Sequence, residues 1–399
     1  MFNRDLYLNK LIGFKDTNLI KVVTGIRRCG KSSLLLLFKE YLGSCGIKDD
    51  NIISINFESL KYDYIEDYKI LYEVIEKNVK KTSGRVYILL DEVQLVSEWE
   101  KAINSFMVDF DCDIYITGSN AFLLSSELST LLSGRYVNIQ MLPLSFKEYL
   151  DFNKFKKLSV DENFINYLKY GGLPVISELS TKENLITQYL RDIYNTVIMK
   201  DVIGRNKITD IALLNNLFSF VASNTGNIIS PNKISDYLKS NNKTICRDTI
   251  DNYLLYLEKA FIIYKVPRYD IKGKLLLKTL AKYYVVDTGI RNAVIGYRDS
   301  DYGQVLENIV YFELLRRDYN VYVGKNDNNE IDFIAEKEND KKYYQVTYSL
   351  TPDVIERETR SLEIPNNSYE KIIISNDKNY IKDIKGIKLL NIIDFLLEE

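Results

Sequence analysis

The sequence has no histidine in 399 residues. That absence excludes histidine general bases, Ser-His and Cys-His nucleophile pairs, and His-ligated zinc. Cysteine is scarce. Cys29, Cys45, Cys112 and Cys246 form no C-x-x-C pair, so neither a disulfide framework nor a thiolate metal site is expected, and reduced thiols in a cytosolic protein are the simplest reading. No apolar run approaches the roughly 20 residues of a membrane helix, and the longest, Leu34–Phe38, is far shorter. The opening MFNRDLYLNK carries charge and lacks an apolar core, which argues against a signal peptide. These features point to the cytoplasm, with no membrane partner. Net charge is also lacking: 53 Lys and Arg against 55 Asp and Glu leave −2. Any contact with nucleic acid therefore has to come from a local basic face.

The length suits two or three domains. Over residues 1–155, apolar runs at Ile20–Thr24, Ile52–Phe57, Val86–Leu90, Ile114–Thr117 and Tyr136–Met141 alternate with helical stretches. That alternation predicts an α/β domain with a mostly parallel sheet. Gly171-Gly172-Leu173-Pro174 punctuates the chain after it. Residues 156–287 read as mostly helical, with Ile211, Leu214, Leu217, Phe218 and Val221 at helical spacing. Ser230-Pro231 starts a second helix, and a third runs over about Ile245–Lys259. Phe261–Val266, a turn at Asp270–Lys274 and Tyr283–Val286 then predict a hairpin. Three helices followed by a hairpin is the order of a winged helix-turn-helix. Residues 288–399 return to α/β alternation.

Residues 25–33 read Gly-Ile-Arg-Arg-Cys-Gly-Lys-Ser-Ser, which is G-x-x-x-x-G-K-[ST] without departure. Gly25 and Gly30 let the backbone curl so that successive N–H groups, from Ile26, Arg27, Arg28 and Cys29 through Ser33, face phosphates. Lys31 reaches the β- and γ-phosphates, and Ser32 offers its hydroxyl to Mg²⁺. The helix that follows favours the anion at its N-terminus. A strand ending in Asp91-Glu92 lies about 60 residues downstream. Asp91 suits Mg²⁺, and Glu92 can polarise an attacking water. Asn120, just after the strand Cys112–Thr117, can sense a γ-phosphate. Arg135 in Ser-Gly-Arg-Tyr suits a charge-stabilising arginine, supplied in cis or across a subunit contact. ATP and Mg²⁺ are the implied ligands.

Gly-Ile-Arg-Arg-Cys-Gly-Lys-Ser-Ser-Leu-Leu, Leu-Leu-Asp-Glu-Val-Gln, Ile-Thr-Gly-Ser-Asn-Ala, Ser-Gly-Arg-Tyr and Pro-Leu-Ser-Phe-Lys-Glu-Tyr follow one another in this order. With Tyr-Gly-Gly-Leu-Pro, Lys-Tyr-Tyr-Val-Val-Asp-Thr-Gly and Leu-Glu-Asn-Ile-Val-Tyr downstream, the chain resembles the prokaryotic AAA-type ATPases that carry a winged-helix segment and a C-terminal nuclease-like domain of unknown function. The resemblance spans nearly the whole chain. It implies Lys31, Ser32, Asp91 and Glu92 as the nucleotide and Mg²⁺ residues, with Arg135 as a further carry-over.

Between Lys265 and Lys282 stand six basic residues (Lys265, Arg268, Lys272, Lys274, Lys278 and Lys282) and one acid, Asp270, a local charge of +5. A basic wing with Tyr269 at its tip suits a phosphate backbone. Lys243 and Arg247 lie at the start of the recognition-helix candidate. The rival reading is a protein-interaction module with solvated lysines, or self-association.

The last region has the outline of a PD-(D/E)xK nuclease fold, with Glu307 on its first helix and Asp332 on a strand. Gln345 stands where the second acid belongs and Thr347 where the lysine belongs. Gln is a poorer ligand for a hard cation and Thr carries no charge. A degenerate domain kept for binding or assembly is expected. The leading functional reading is an ATPase that couples Mg-ATP turnover to conformational change on DNA. The alternatives are a nucleotide-gated regulator with little turnover and an ATP-dependent nuclease.

Overall fold

Apolar alternation in the first part of the chain builds one parallel sheet. It is seen in a computed structural model that describes residues 3–118, 132, 134–179, 182–240, 246–326, 329–363, 368–378 and 382–398. Strands β1 (Ile20–Thr24), β2 (Ile52–Asn56), β3 (Val86–Asp91), β4 (Cys112–Thr117) and β5 (Tyr136–Gln140) lie in the order β2-β3-β4-β1-β5, every pair parallel. Helices α1 (Asp5–Gly13), α2 (Lys31–Ser44), α3 (Tyr68–Val79) and α4 (Trp99–Asp109) flank it. Successive strand residues point to opposite faces. Ile20, Val22, Ile53, Ile55, Ile88, Leu90, Ile114 and Ile116 therefore share one buried face with Leu71, Ile75, Trp99, Ile103 and Phe106. On the other face Phe38 of α2 packs on Tyr115, ring centroids 4.4 Å apart. The same face buries an ion pair. Lys21 and Asp113, both wholly inaccessible, bond directly, and Asp113 also accepts from the Tyr115 hydroxyl and the Asp16 N–H, each at 2.8 Å. Burial pulls the Lys21 pKa down, and Asp113 opposes that pull.

The chain forms two compact units, Met1–Met141 and Leu142–Glu399. The second begins with helices α5 (Phe146–Asn153), α6 (Val160–Tyr170) and α7 (Glu183–Thr196), which continues into a π-helical turn, Val197–Val202. Next come α8 (Ile211–Ser223), β6 (Ile228–Ile229), α9 (Pro231–Ser240), α10 (Arg247–Lys259) and a hairpin of β7 (Ile263–Asp270) and β8 (Leu275–Val285). Helices α11 (Thr288–Ile295) and α12 (Tyr302–Arg316) lead to β9 (Asn320–Asn326), β10 (Asn329–Lys337) and β11 (Asp340–Val346). Then α13 (Pro352–Glu363), β12 (Glu370–Ser375), β13 (Asp383–Ile384), β14 (Ile387–Asn391) and α14 (Ile392–Leu397) complete the unit. Its sheet runs β13-β14-β12-β11-β10-β9-β7-β8-β6.

This division differs from the expected boundaries at 155 and 287. Helix α5 packs on α6 and α14, inside the second unit. Arg268–Asp270 of β7 pair in parallel with Val323–Lys325 of β9, so the hairpin shares a sheet with the strands beyond residue 287. The Gly-Gly punctuation has a packing cause. Asp287 caps α11 through the Ile290 N–H (3.0 Å) and also accepts from the Gly172 N–H (2.7 Å). A Cβ at Gly171 would lie 2.1 Å from that carboxylate. No helix among the described residues is long and apolar enough to cross a membrane.

Asp113→Asn leaves Lys21 buried without a counter-charge, and breaking such a pair costs about 3–5 kcal/mol. Trp99 is the sole tryptophan and lies in the core of the first unit, so its fluorescence reports that unit. Urea unfolding followed at Trp99 should show a loss of this size. A change below about 1 kcal/mol would mean the pair is not worth what its burial implies.

Candidate nucleotide-binding site

The turn after β1 is built for close approach of another backbone. Gly25 has φ 143°, and a Cβ there would sit 2.2 Å from the Met141 carbonyl. Gly30, at φ 107°, starts α2. Lys31 is buried, and its Nζ donates to the Gly25 and Ile26 carbonyls, each at 3.1 Å. Ile26 and Cys29 are buried, Arg27 and Ser32 half-buried, and Arg28 and Ser33 exposed. Burial pushes the Cys29 thiol up in pKa, so this cysteine is a packing group rather than a reactive thiolate. The buried Arg4, just before α1, donates from Nη1 to the Cys29 carbonyl at 3.0 Å and braces the loop from behind.

The strand order brings the rest of the site beside this loop. Parallel strands end at a common edge, and β4 lies between β3 and β1. Asp91 closes β3 there and Glu92 follows it. Asp91 is buried, and burial pushes its carboxyl up while the Thr117 and Ser32 hydroxyls pull it back. The Thr117 hydroxyl donates to Asp91 Oδ1 and accepts from the Glu92 N–H at 3.0 Å. Asn56, opposite Asp91 on β2, donates to Asp91 Oδ2 at 2.9 Å. Glu92 turns through a left-handed backbone, φ 57°, and Gln94 donates to its carboxylate. Lys31, Ser32, Asp91 and Glu92 thus meet at one edge. A buried carboxylate beside a serine hydroxyl is a donor set that fits Mg²⁺, and the curled loop at the N-terminus of α2 fits phosphate.

Thr117, Asn56, Gln94 and Arg4 are not singled out by the motifs. Thr117 and Asn56 share one signal, a polar residue closing an apolar strand. Asn120 lies outside the described residues. Arg135 lies apart from these groups. It precedes Tyr136, which pairs with Ile20 at the start of β1, so it sits at the opposite edge from the loop after Thr24. Five residues at about 3.3 Å each put about 16 Å of strand between that pairing and the loop. The direction of the strands thus keeps Arg135 away from the loop of its own chain.

In the second unit, Lys243 lies outside the described residues. Arg247 is exposed at the start of α10, 3.7 Å from Asp251. Lys265, Lys272 and Lys274 are exposed, and Arg268 is half-buried. Tyr269 lies beside the turn, opposite Leu276, and packs on Tyr322, ring centroids 6.0 Å apart. One expectation for the wing is overturned. Lys282 faces no solvent: its side chain is 1% exposed and meets Glu307 and Asp332. Of the nuclease-like residues, Glu307 and Asp332 come together. Gln345 accepts from the Asp332 N–H at 2.6 Å and donates to Glu358 at 2.6 Å. The Thr347 hydroxyl donates to the Ser349 carbonyl at 3.3 Å.

Comparison with known proteins agrees with this architecture. Residues 17–150 match the AAA domain family, and residues 161–301 match a domain of unknown function (DUF8612). An uncharacterized protein of Haemophilus influenzae is 42% identical, with 100% of this chain and 99% of that protein covered. An uncharacterized protein of Methanocaldococcus jannaschii is 33% identical, with 96% and 87% covered. A Walker-type ATPase of Pyrococcus abyssi shares the fold at TM-score 0.52 and 16% identity, over 74% of this chain and 96% of its own.

Thr117→Val removes a hydroxyl that serves both Asp91 and Glu92. A hydrogen bond to a charged group is worth about 1.5–3 kcal/mol, so the Mg²⁺-dependent part of nucleotide affinity should fall at least about tenfold. Titration of a fluorescent ATP analogue in Mg²⁺ and in EDTA reads this, and Thr117→Ser should restore it. An unchanged Mg²⁺ dependence would remove Thr117 from the site.

Proposed function

We propose, for a chain that belongs to one family with these Haemophilus and Methanocaldococcus proteins and carries an AAA domain, the role of an ATP-hydrolysing switch whose nucleotide state sets how its second unit engages DNA. The meeting of Lys31, Ser32, Asp91 and Glu92 at one sheet edge carries this reading. Lys31 and the loop N–H groups hold the phosphates, and the α2 terminus adds its dipole. Ser32 and Asp91 would hold Mg²⁺, which when bound supplies charge neutralisation between the β- and γ-phosphates. Glu92 accepts the proton of the attacking water, with Thr117 and Gln94 fixing its backbone and carboxylate. Arg135, at the far edge, fits a site on a neighbouring subunit, which makes self-association part of the reading.

The order α8, β6, α9, α10, β7, β8 supports a winged helix, and the run α12, β9, β10, β11, α13, β12 supports a nuclease-like core. Arg247, Lys265, Lys272 and Lys274 are the exposed cations such a winged helix offers to a phosphate backbone. One observation favours a second reading, a protein partner at the wing. Leu275 and Leu276, each 51% exposed, stand beside Lys272 and Lys274.

ATP turnover tests the site. Glu92→Gln should retain ATP binding and lose at least about 100-fold in kcat, whereas Lys31→Ala should lose binding as well. Equal turnover by both variants and the wild type would sink the assignment. DNA binding measured across salt tests the load. Lys272→Glu with Lys274→Glu should weaken it and flatten its salt slope by about 2. If the slope holds while Leu275→Ser with Leu276→Ser alters turnover, the wing belongs to a protein partner.

A further inference from the structure

Every residue from Ala281 to Val285 of β8 is buried, so both faces of this strand are covered. Alternation puts Lys282 and Tyr284 on one face. Both reach Glu307 of α12: Lys282 Nζ lies 2.8 Å from Glu307 Oε1, and the Tyr284 hydroxyl donates to the same oxygen. Lys282 Nζ also lies 2.7 Å from Glu330 Oε1 and 3.0 Å from Asp332 Oδ1. Glu330 and Asp332 are two residues apart on β10, so they too share a face. The ammonium donates to Glu307 and Asp332 and forms an ion pair with Glu330, so three carboxylates surround it.

The electrostatics suit a permanent cation. Burial pulls the Lys282 pKa down, but Glu307, Asp332 and Glu330 outweigh it and hold the group well above its ordinary value. Burial pushes the Glu307 carboxyl up, and the Lys282 ammonium opposes that push. The neighbouring hydrogen bonds are also taken. Asp332 Oδ2 accepts from the Val346 N–H at 3.0 Å, and Gln345 spans Asp332 and Glu358. As Lys282 holds them, these acids do not form a metal cage: among the described residues no group of three or more His, Cys, Asp or Glu is arranged to hold an ion.

We propose that Lys282 is the resident cation of this carboxylate centre, standing where a metal-dependent nuclease would hold a divalent ion, and that it closes the centre to metal while fastening the β7–β8 hairpin to α12 and β10. The centre thereby becomes a structural joint in which a side chain does what an ion does elsewhere. Removing the ammonium leaves oxygen donors suited to a hard cation, with Glu330, the most exposed of the three at 33%, as the side of entry. This inference does not rest on the nucleotide reading.

The full-length chain, free of nucleotide, is used for the test, with Mn²⁺ as the probe. Lys282→Met should unfold at least about 4 °C below wild type in EDTA. Millimolar Mn²⁺ should raise its unfolding temperature, and Asp332→Asn added to it should abolish that rise. If Lys282→Met keeps its stability and ignores Mn²⁺, the proposal fails. If that variant does not fold, the wild-type background decides. Mn²⁺ binding followed by electron paramagnetic resonance should be the same in wild type and Asp332→Asn. A loss of bound Mn²⁺ in Asp332→Asn would show that metal enters with Lys282 in place and overturn the proposal. So would Mn²⁺-dependent DNA cleavage by wild type that Lys282→Met removes, since Lys282 would then be a catalytic lysine.

Discussion

Parallel strands all end at the same edge of their sheet, and the chemistry of the first unit depends on that constraint. The loop after β1, Thr117 at the end of β4 and Asp91-Glu92 at the end of β3 are far apart in sequence. They become neighbours because β4 lies between β3 and β1. Thr117 then serves two functions with one hydroxyl, as donor to Asp91 and acceptor from Glu92. The same constraint sends Arg135 to the other edge, because residues that precede a parallel strand cannot share an edge with loops that follow one. Helix α2 adds the remaining requirement, a free N-terminus behind the phosphate loop.

Much of this could be read from the chain because the signals are local. Gly25, Gly30, Lys31 and Ser32 form one continuous motif, and Asp91-Glu92 closes an apolar strand. The five strands of the first unit follow their apolar runs closely. What could not be read depends on strand order and on which faces are covered. Asn56 matters only because β2 is registered against β3 with Asn56 opposite Asp91. The boundary after Met141 depends on where α5 packs, and that is a tertiary fact. Lys282 is the clearest case. Counting charges between Lys265 and Lys282 treats each lysine as solvated, yet burial on both faces of β8 turns one of them inward to acids that come later in the chain.

Two of the buried lysines, one in each unit, follow a shared logic. Lys21 is neutralised by Asp113, and Lys282 by Glu307, Glu330 and Asp332. Such arrangements add little stability relative to an apolar core of the same volume, but breaking one is costly. Their effect is on alternatives. A slip of one residue along β8 would turn Lys282 to the opposite face, away from α12 and β10, and leave the acids unpaired, so the register of this strand is tightly determined.

The nine-stranded sheet ends in strands of only two residues, β6 and β13. Short edge strands offer little backbone for another chain to pair with. Each leaves part of its longer neighbour uncovered: β6 pairs only Ala281 and Lys282 of β8, and β13 only Ile387 and Lys388 of β14. On β14 the next residue, Leu389, has its N–H taken by the Lys382 carbonyl and is 5% exposed, whereas Leu275 and Leu276 at the start of β8 are 51% exposed. Unsatisfied pairing capacity and apolar surface therefore coincide at the hairpin tip. Growth of this sheet by a further strand, whether in a specific assembly or in aggregation of the isolated protein, has its point of entry there.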